Sequence, residues 1–226
     1  MVELAGFRRA KREFFDRPVL EVAPLLLGSV LVQELPTGPV GIRLTEVEAY
    51  GGSVDPGSHS FRGPTPRNAS MFGPPGHLYC YFTYGMHHAI NIVCDSVGIG
   101  TGCLLRAGEV IVGLELAHRR REMAPGGKPR LKALSDQALA RGPGNLAQVF
   151  AATRADTDGA DLCAAAGEWS CWLPDEGGKP SGVQTSGRVG VGGAGGDAAS
   201  FSWRFYLAGE PSVSAYRAAA TRTAAR

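Results

Sequence analysis

Residues 40 to 50 read Val-Gly-Ile-Arg-Leu-Thr-Glu-Val-Glu-Ala-Tyr. Apolar side chains alternate with others at the start of this stretch, a pattern that predicts a β-strand with one buried face. If the period of two continues, Glu46, Glu48 and Tyr50 lie on the face of the aliphatic side chains at 40, 42 and 44. A carboxylate at the end of an apolar face is partly desolvated, so it is a candidate general base. The alternative is that the strand leaves the core at Thr45 and that water solvates both glutamates.

The same periodicity, together with the Gly and Pro residues that interrupt it, predicts the remaining elements. Residues 25–33 are predicted to turn at Gly28 and to continue as a strand. The other predicted strands are 40–50, 78–84, 89–95, 102–107, 168–173 and 201–208, and the predicted helices are 8–15, 109–121, 131–140 and 144–151. Residues 187–196 contain six glycines and are predicted to form a mobile loop.

Length and composition are those of one soluble globular domain. With 226 residues, the chain is large enough to bury a core and short enough for a single domain. We expect an α/β (α+β) domain over residues 1–226, with a curved, mainly antiparallel sheet and peripheral helices. No apolar run approaches the roughly 20 residues that span a bilayer. The first residues lack the apolar core of a signal peptide, so we expect a cytoplasmic protein without a membrane partner.

The cysteines and histidines do not predict a metal site. The chain has five cysteines, an odd number, without a Cys-x-x-Cys spacing. Cys80, Cys94 and Cys103 fall in predicted strands, where a free thiol acts as a small hydrophobic group. His87 and His88 are adjacent on a strand and point to opposite faces, so they do not converge on one ion. We expect no disulfide, no metal and no cofactor.

Charge is concentrated in one stretch. The formal net charge of +2 is too small to predict nucleic-acid binding by itself. Between His118 and Asn145, however, seven basic residues stand against two acidic ones. Such a stretch could contact a phosphate backbone. The alternative is a solvated helix end followed by a basic loop.

Several short segments give a more specific signal, because they occur together in a fixed order. They are Glu48-Ala-Tyr50, His59-Ser60, Thr65-Pro-Arg67-Asn68, Met71-Phe72, Tyr79-x-Tyr81-x-x-Tyr84-Gly-Met86, Asn91, Leu104-Leu-Arg106-Ala, Gly142-Pro-Gly-Asn-Leu and Trp203-Arg-Phe-Tyr. In this order and at these spacings they resemble the alkyladenine (3-methyladenine) DNA glycosylase family. The resemblance covers residues 14 to 211, nearly the whole chain.

The resemblance implies a monomeric enzyme that acts on double-stranded DNA. Such an enzyme rotates an alkylated or deaminated purine out of the duplex and hydrolyses its bond to the sugar, which opens base excision repair. By resemblance, Glu48 activates water and offsets the charge of an oxocarbenium-like sugar. Arg106 helps to hold Glu48 and the water. Glu46 is expected to lie behind Glu48 or at the surface.

The resemblance also implies which residues hold the base and the DNA. Tyr50, His59 and Tyr81 form an aromatic stack for the flipped base, and Asn91 excludes guanine. Tyr79 and Phe82 are expected in the core. Tyr84 and Met86, at the tip of a protruding β-hairpin, contact the DNA, with Tyr84 as the wedge that fills the gap in the base stack. Arg67 and Asn68, in the Thr-Pro-Arg-Asn segment, are expected to bind DNA.

Two other functions are compatible with parts of this pattern. One is a non-catalytic protein that binds distorted or lesion-containing duplex DNA, and the other is a hydrolase of free nucleosides. Glu48 together with Arg106 argues against the first, because binding alone needs neither residue. The wedge segment argues against the second.

Overall fold

The computed structural model describes residues 2–123, 128 and 130–219, so residues 1, 124–127, 129 and 220–226 of the predicted domain lie outside the described part. The described strands are Phe7–Arg9 (β1), Val30–Leu35 (β2), Gly38–Tyr50 (β3), Leu78–Thr83 (β4), His87–Cys94 (β5), Thr101–Val112 (β6), Ala140–Arg141 (β7), Trp169–Pro174 (β8), Val183–Ser186 (β9) and Arg204–Leu207 (β10). The described α-helices are Arg12–Phe15 (α1), Val19–Leu26 (α2), Leu114–Arg121 (α3), Pro143–Val149 (α4) and Arg154–Thr157 (α5).

The strands form one antiparallel sheet. Its main path runs β1-β8-β2-β3-β6-β5-β4, while β10 pairs with the end of β3 and β9 continues outward from β10. Helices α2 and α4 cover one face, where their apolar side chains share a single core with strands β3 to β6. The expected α+β class, with a mainly antiparallel sheet in a single domain, is therefore confirmed.

Two irregularities in the pairing of β3 with β6 decide which way the central side chains point. Leu44 pairs with Gly108 and Glu46 with Ala107, so Thr45 is an extra residue on β3. The next pair is Val47 with Leu105, which leaves Arg106 as an extra residue on β6. A bulge of this kind interrupts the period of two and reverses the alternation beyond it.

The reversal corrects the prediction about the faces of β3. Before the bulge, Leu44 belongs to the main core, but after it the core residues are Val47 and Ala49. Glu46 and Glu48 therefore lie on the opposite face from Leu44, not on the same face. They are nevertheless fully buried, so the alternative that water solvates them is also wrong.

Three predicted helices differ from the structure, each because long-range pairing prevails over local periodicity. Residues 7–9 pair with β8, so only Arg12–Phe15 remains of the helix predicted at 8–15. The β-branched run at 110–112 extends β6 beside β3, and the helix begins only at Leu114. Residues 131–140 contain a short 3-10 turn, Asp136–Ala138, in place of an α-helix. Arg121 donates a hydrogen bond to the carbonyl of Leu139 and holds this segment against α3.

The β4–β5 hairpin extends past the rest of the sheet. β5 pairs with β6 only over residues 91–94, so the tip of the hairpin has no strand beside it. The Met86 N–H donates to the carbonyl of Thr83, and Tyr84 and Gly85 both have positive φ, of 51° and 67°. Positive φ at both central residues is what a type I′ hairpin turn requires. Phe82 is 49% exposed on this extension, so its predicted place in the core is wrong.

The cysteines on these strands are free thiols, and those at 80, 94 and 103 belong to the core. Among the described residues, no helix combines the length and the apolar character that crossing a bilayer would require.

Candidate active site

A row of side chains crosses four strands on the face opposite the helices. Glu48 pairs with Leu104, Leu104 with Asn91, and Asn91 with Tyr79. Residues directly opposite each other in antiparallel strands point to the same face, so the row runs from β3 to β4 without interruption. Three of its members, Leu104, Asn91 and Tyr79, line a cavity of about 360 Å³. Tyr50, His59, Tyr81 and Arg106 line the same cavity. Together with Asn91, they are five of the six residues predicted for catalysis and base binding.

The sixth residue, Glu48, is fully buried beside this cavity. Its Oε1 accepts a hydrogen bond of 2.7 Å from the Val189 N–H, and its Oε2 accepts one of 3.0 Å from the Tyr50 hydroxyl. Arg106 Nη1 lies 3.3 Å from the same Oε2. Burial raises the pKa of Glu48 above its ordinary value, although Arg106, Val189 and Tyr50 oppose the shift. Glu48 is thus a desolvated carboxylate that binds a proton more readily than an exposed one.

Glu46, two residues earlier, has a fuller set of partners. Its Oε1 accepts hydrogen bonds of 2.8 Å from Arg106 Nε and 2.7 Å from Arg204 Nε. The Ser214 hydroxyl and N–H donate to Oε1 and Oε2 at 2.8 and 2.7 Å. Burial alone would raise the pKa of Glu46, but Arg106, Arg204 and Ser214 together hold it below its ordinary value. Glu46 therefore stays ionised to a lower pH than an ordinary glutamate and lies behind the site, and its predicted alternative place at the surface is wrong.

Aromatic rings form one wall of the cavity. The rings of Tyr79 and Tyr81 are stacked, with centroids 5.4 Å apart and planes at 27°. His59 meets Tyr81 edge to face at 4.5 Å, and its Nδ1 lies 3.2 Å from the Tyr79 hydroxyl. Burial, and then the nearby charge of Arg67, lower the pKa of His59, so its ring is neutral at pH 7. The aromatic wall therefore carries no positive charge of its own.

Tyr79 is buried in a hydrophobic cluster with Met71 and Val93, as predicted, and it also lines the cavity. It is almost fully buried, yet its hydroxyl reaches His59 and its ring lines the cavity. The signal was present, because a period of two on β4 puts Tyr79 on the same face as Tyr81.

The glycine-rich loop predicted at 187–196 covers the cavity. Val189, Gly190, Val191 and Gly192 line it, and Arg188 is buried beneath the loop. The sequence reading missed Arg188 and Val189, because the function of a backbone N–H leaves no pattern in the side chains. The mobility of this loop stays a prediction.

Four predicted DNA contacts lie around the mouth of the cavity or on the hairpin. Tyr84 is 82% and Met86 56% exposed at the hairpin tip, and Arg67 is exposed with its guanidinium 6.0 Å from the ring centre of Tyr81. Asn68 differs, since it is buried and its side chain bonds to Thr65 and to the carbonyl of His59. This side chain shapes the loop that presents Arg67 and is not available to a phosphate.

The basic stretch is also less free than its composition indicates. Arg120 donates to the carbonyl of Val149, Arg121 to that of Leu139, and Arg130 to that of Arg121. These arginines hold helix α3 and its surroundings together. The alternative of a solvated helix end is therefore wrong for Arg121, which is buried. Among the basic residues of this stretch, exposed ones such as Arg141 are the candidates for phosphate contacts.

The order of these residues along the chain matches that of a known family. The family described as Methylpurine-DNA glycosylase (MPG) matches residues 13–211. The chain belongs to this family. The buried carboxylate, the aromatic wall and the protruding hairpin are consistent with this family. As a member of the family, the protein is a DNA glycosylase.

Curated relatives extend over nearly the whole chain. A protein of Streptomyces avermitilis is 51% identical over 207 residues, which cover 92% of this chain and 91% of the relative. One of Leifsonia xyli is 51% identical over 207 residues, covering 91% and 92%. One of Methanocella arvoryzae is 42% identical over 203 residues, covering 90% and 94%. All three are provisionally named as 3-methyladenine DNA glycosylases.

The different environments of the two glutamates predict opposite effects on stability. Glu46→Gln leaves Arg204 without a buried counter-charge and Arg106 with Glu48 alone, so we expect a loss of about 3–5 kcal/mol, or on the order of 10 °C in Tm, at pH 7. The folded-state pKa of Glu46 is depressed, so this loss should shrink as the pH falls through that pKa.

The folded-state pKa of Glu48 is raised, so its ionised form weakens the fold at neutral pH, and Glu48→Gln should leave Tm unchanged or higher. Thermal melting at pH 7 and pH 4 measures both effects. A large loss in Glu48→Gln would contradict this account of the pair.

Proposed function

We propose that this protein is a monofunctional DNA glycosylase that uses water to release alkylated or deaminated purines from double-stranded DNA. The observation that carries the proposal is the pair of Glu48 and Arg106 beside an aromatic cavity. A protein that only bound distorted duplex would gain nothing from a carboxylate whose burial costs stability. The six residues predicted for catalysis and base binding meet within one chain, so the proposed reaction needs no second copy, and we propose that the protein acts as a monomer. Because its substrate is chromosomal DNA, we propose that it acts in the cytoplasm where that DNA lies.

The carboxylate of Glu48 supplies the base for the hydrolytic step. It takes a proton from water, the water oxygen bonds to C1′ of the sugar, and the bond from C1′ to the purine nitrogen breaks with its electron pair going to the purine. The negative charge of Glu48 also offsets the positive charge that the sugar develops in the transition state. Arg106, 3.3 Å from the Glu48 carboxylate, favours its ionised form and can hold the water.

The aromatic wall suits a planar purine, and above all a cationic one. A methylated purine carries positive charge, which the faces of Tyr81 and Tyr50 attract by roughly 0.5–2 kcal/mol per contact. The neutral state of His59 avoids repulsion with that charge. Asn91 donates a hydrogen bond of 3.1 Å to the carbonyl of Tyr79, so its side chain is held rigidly in the floor of the cavity. A rigid group at this point can exclude a base that carries an additional amino group.

The hairpin tip and the exposed arginines supply the contacts to the duplex. Tyr84 has positive φ although it is a bulky residue, a strained conformation, and its side chain is 82% exposed at the edge of the cavity. In the proposed complex Tyr84 enters the base stack and Met86 lies beside it in the minor groove. Arg67 and Arg141 are exposed near the cavity and are candidates for phosphate contacts.

The first functional test replaces Glu48, the proposed general base. Glu48→Gln keeps the size of the side chain but removes its charge and its proton affinity, so single-turnover excision should fall by about 10²–10⁴-fold. Binding to lesion duplex should change by only a few-fold, because a carboxylate attracts no phosphate. The drop should be similar for cationic and neutral lesions, since both require the water. Glu109→Gln, a carboxylate that is far more exposed, is the matched control and should excise normally. A Glu48→Gln variant with near wild-type excision would contradict the mechanism.

The second test concerns the wedge. Tyr84→Ala should weaken excision from duplex DNA far more than excision from a single strand, because a single strand has no base stack to hold open. Phe82→Ala, on the same hairpin and also exposed, is the matched control and should affect both substrates little. Equal losses on the two substrates would remove the wedge role from Tyr84.

The third test concerns base selection. Asn91→Ser shortens the side chain in the cavity floor, so we expect new cleavage of normal or methylated guanine while excision of adenine-type lesions persists. Assays with duplexes that carry each base at one position measure the change. If all excision disappears and none is gained, then Asn91 is structural and another group excludes guanine.

A further inference from the structure

Arg188 is a fully buried cation that the hydrolytic step does not use. Its guanidinium binds Asp55 through two hydrogen bonds of 2.5 and 2.7 Å. It also donates to the carbonyl of Ala49 at 3.0 Å and to that of Gly195 at 2.7 Å. Such a site is costly to desolvate, and it is stable only because charge and hydrogen bonds compensate nearly the whole group.

Aromatic rings complete the surroundings of this guanidinium. Its centre lies 4.5 Å from the ring centre of Tyr50, 5.4 Å from that of Phe201 and 5.5 Å from that of Trp203. Arginine suits this position because its planar group can bind a carboxylate with two bonds and can also stack on rings, which lysine cannot do.

Each partner of Arg188 belongs to a different backbone segment that also contributes residues to the cavity. Ala49 lies between the catalytic Glu48 and the base-contacting Tyr50. Asp55 also accepts hydrogen bonds from the N–H groups of Gly51 and Gly57, and Gly57 lines the cavity. Gly195 belongs to the glycine-rich loop over the cavity. One guanidinium therefore fixes three backbone segments relative to one another.

The glycines of this region allow the segments to approach so closely. A Cβ on Gly195 would collide with the backbone of Gly57, and a Cβ on Gly57 would lie 2.5 Å from the guanidinium of Arg188. Close packing thus requires glycine at position 195 of the loop and at position 57, which faces it.

The residue that follows Arg188 contacts the catalytic carboxylate. The Val189 N–H donates to Glu48 Oε1 at 2.7 Å, and this is the one hydrogen bond to that oxygen among the described residues. We propose that Arg188, held by Asp55, is a positioning residue that keeps the Val189 N–H on the carboxylate of Glu48. The inference rests on the proposed function, in which Glu48 is the base.

The charges around Glu48 determine what loss of this contact would do. The groups that face it are Glu46 and Tyr50 on its own strand, Arg106 on β6, Tyr81 on β4, Arg204 on β10 and the Val189 N–H. The N–H is among the groups that lower the pKa of Glu48. If the loop shifts and the N–H leaves, the pKa of Glu48 rises, and a higher pH is needed to ionise the base.

The test measures single-turnover excision against pH for wild type and Arg188→Lys. Lysine keeps the charge but cannot make the two-bond contact with Asp55, so the acid limb of the profile should move to higher pH. At a pH below the limb, excision should fall by about tenfold for each unit that the limb moves, and at high pH it should recover to within a few-fold of wild type. In a Glu48→Gln background, Arg188→Lys should cause little further loss.

Arg43→Lys is the matched control. Arg43 lies on the same strand as Glu48 and binds Glu109 and Glu210 at 2.8 and 3.0 Å, but it does not contact Glu48. We expect a normal acid limb in this variant, whatever its Tm. Asp55→Asn, which removes the counter-charge of Arg188, should move the limb in the same direction as Arg188→Lys.

Several results would overturn the positioning role. One is a folded Arg188→Lys variant whose acid limb does not move. Another is a loss of excision in this variant that is the same at every pH. A third is a loss from Arg188→Lys that is as large in the Glu48→Gln background as in wild type. Failure of both Arg188→Lys and Asp55→Asn to fold would also overturn it, because Arg188 would then serve the fold and not Glu48. A wild-type protein without activity on any lesion would instead refute the proposed function itself.

Discussion

The site depends on one shared cation between two buried carboxylates. Arg106 lies against Glu46 at 2.8 Å and against Glu48 at 3.3 Å, and both glutamates are fully buried. Two like charges so close together in a dry region would repel each other, and without a cation between them one would take up a proton. Arg106 lies on the opposite face of β6 from the core residues Leu105 and Ala107, and the extra residue at Thr45 turns β3 so that Glu46 and Glu48 leave the core face and meet it. The irregularity at Thr45 is therefore part of the candidate active site.

The partners are divided unequally between the two carboxylates, and the inequality separates their roles. Glu46 receives hydrogen bonds from two arginines and from Ser214, so its charge is fully compensated. Glu48 receives fewer, and its raised pKa reflects a carboxylate that gains stability by taking a proton. A general base must take a proton in its reaction, so incomplete compensation is favourable at this position. The stability that Glu46 contributes makes it possible to keep Glu48 in an unfavourable environment.

Local patterns predicted those parts of the molecule that depend on near neighbours in the chain. The hairpin follows from two strand patterns on either side of Gly85, and the aromatic wall follows from the alternation along β4. The partners of Glu46 could not be predicted in this way, because Arg204 and Ser214 lie 158 and 168 residues away. A period of two likewise contains no mark of a bulge, so the strand could be predicted while its faces beyond Thr45 were reversed. Arg188 was not predicted for a related reason, because its proposed role is to hold the backbone N–H of Val189 and no side-chain pattern marks such a contact.

The hairpin couples the cavity to the proposed wedge through a single rigid element. In the proposed complex Tyr81 contacts the flipped base and Tyr84 enters the base stack, and both residues lie on or at the end of β4. Three residues of a strand span roughly 10 Å, so the distance between the gap in the duplex and the pocket is set by strand geometry and not by a flexible loop. The strain at Tyr84 follows from the same arrangement, because a turn of two residues with positive φ is needed to end β4 at that distance. A protein that only bound bent DNA would have no need to fix this distance, whereas an enzyme must deliver C1′ to Glu48 each time a base is extruded.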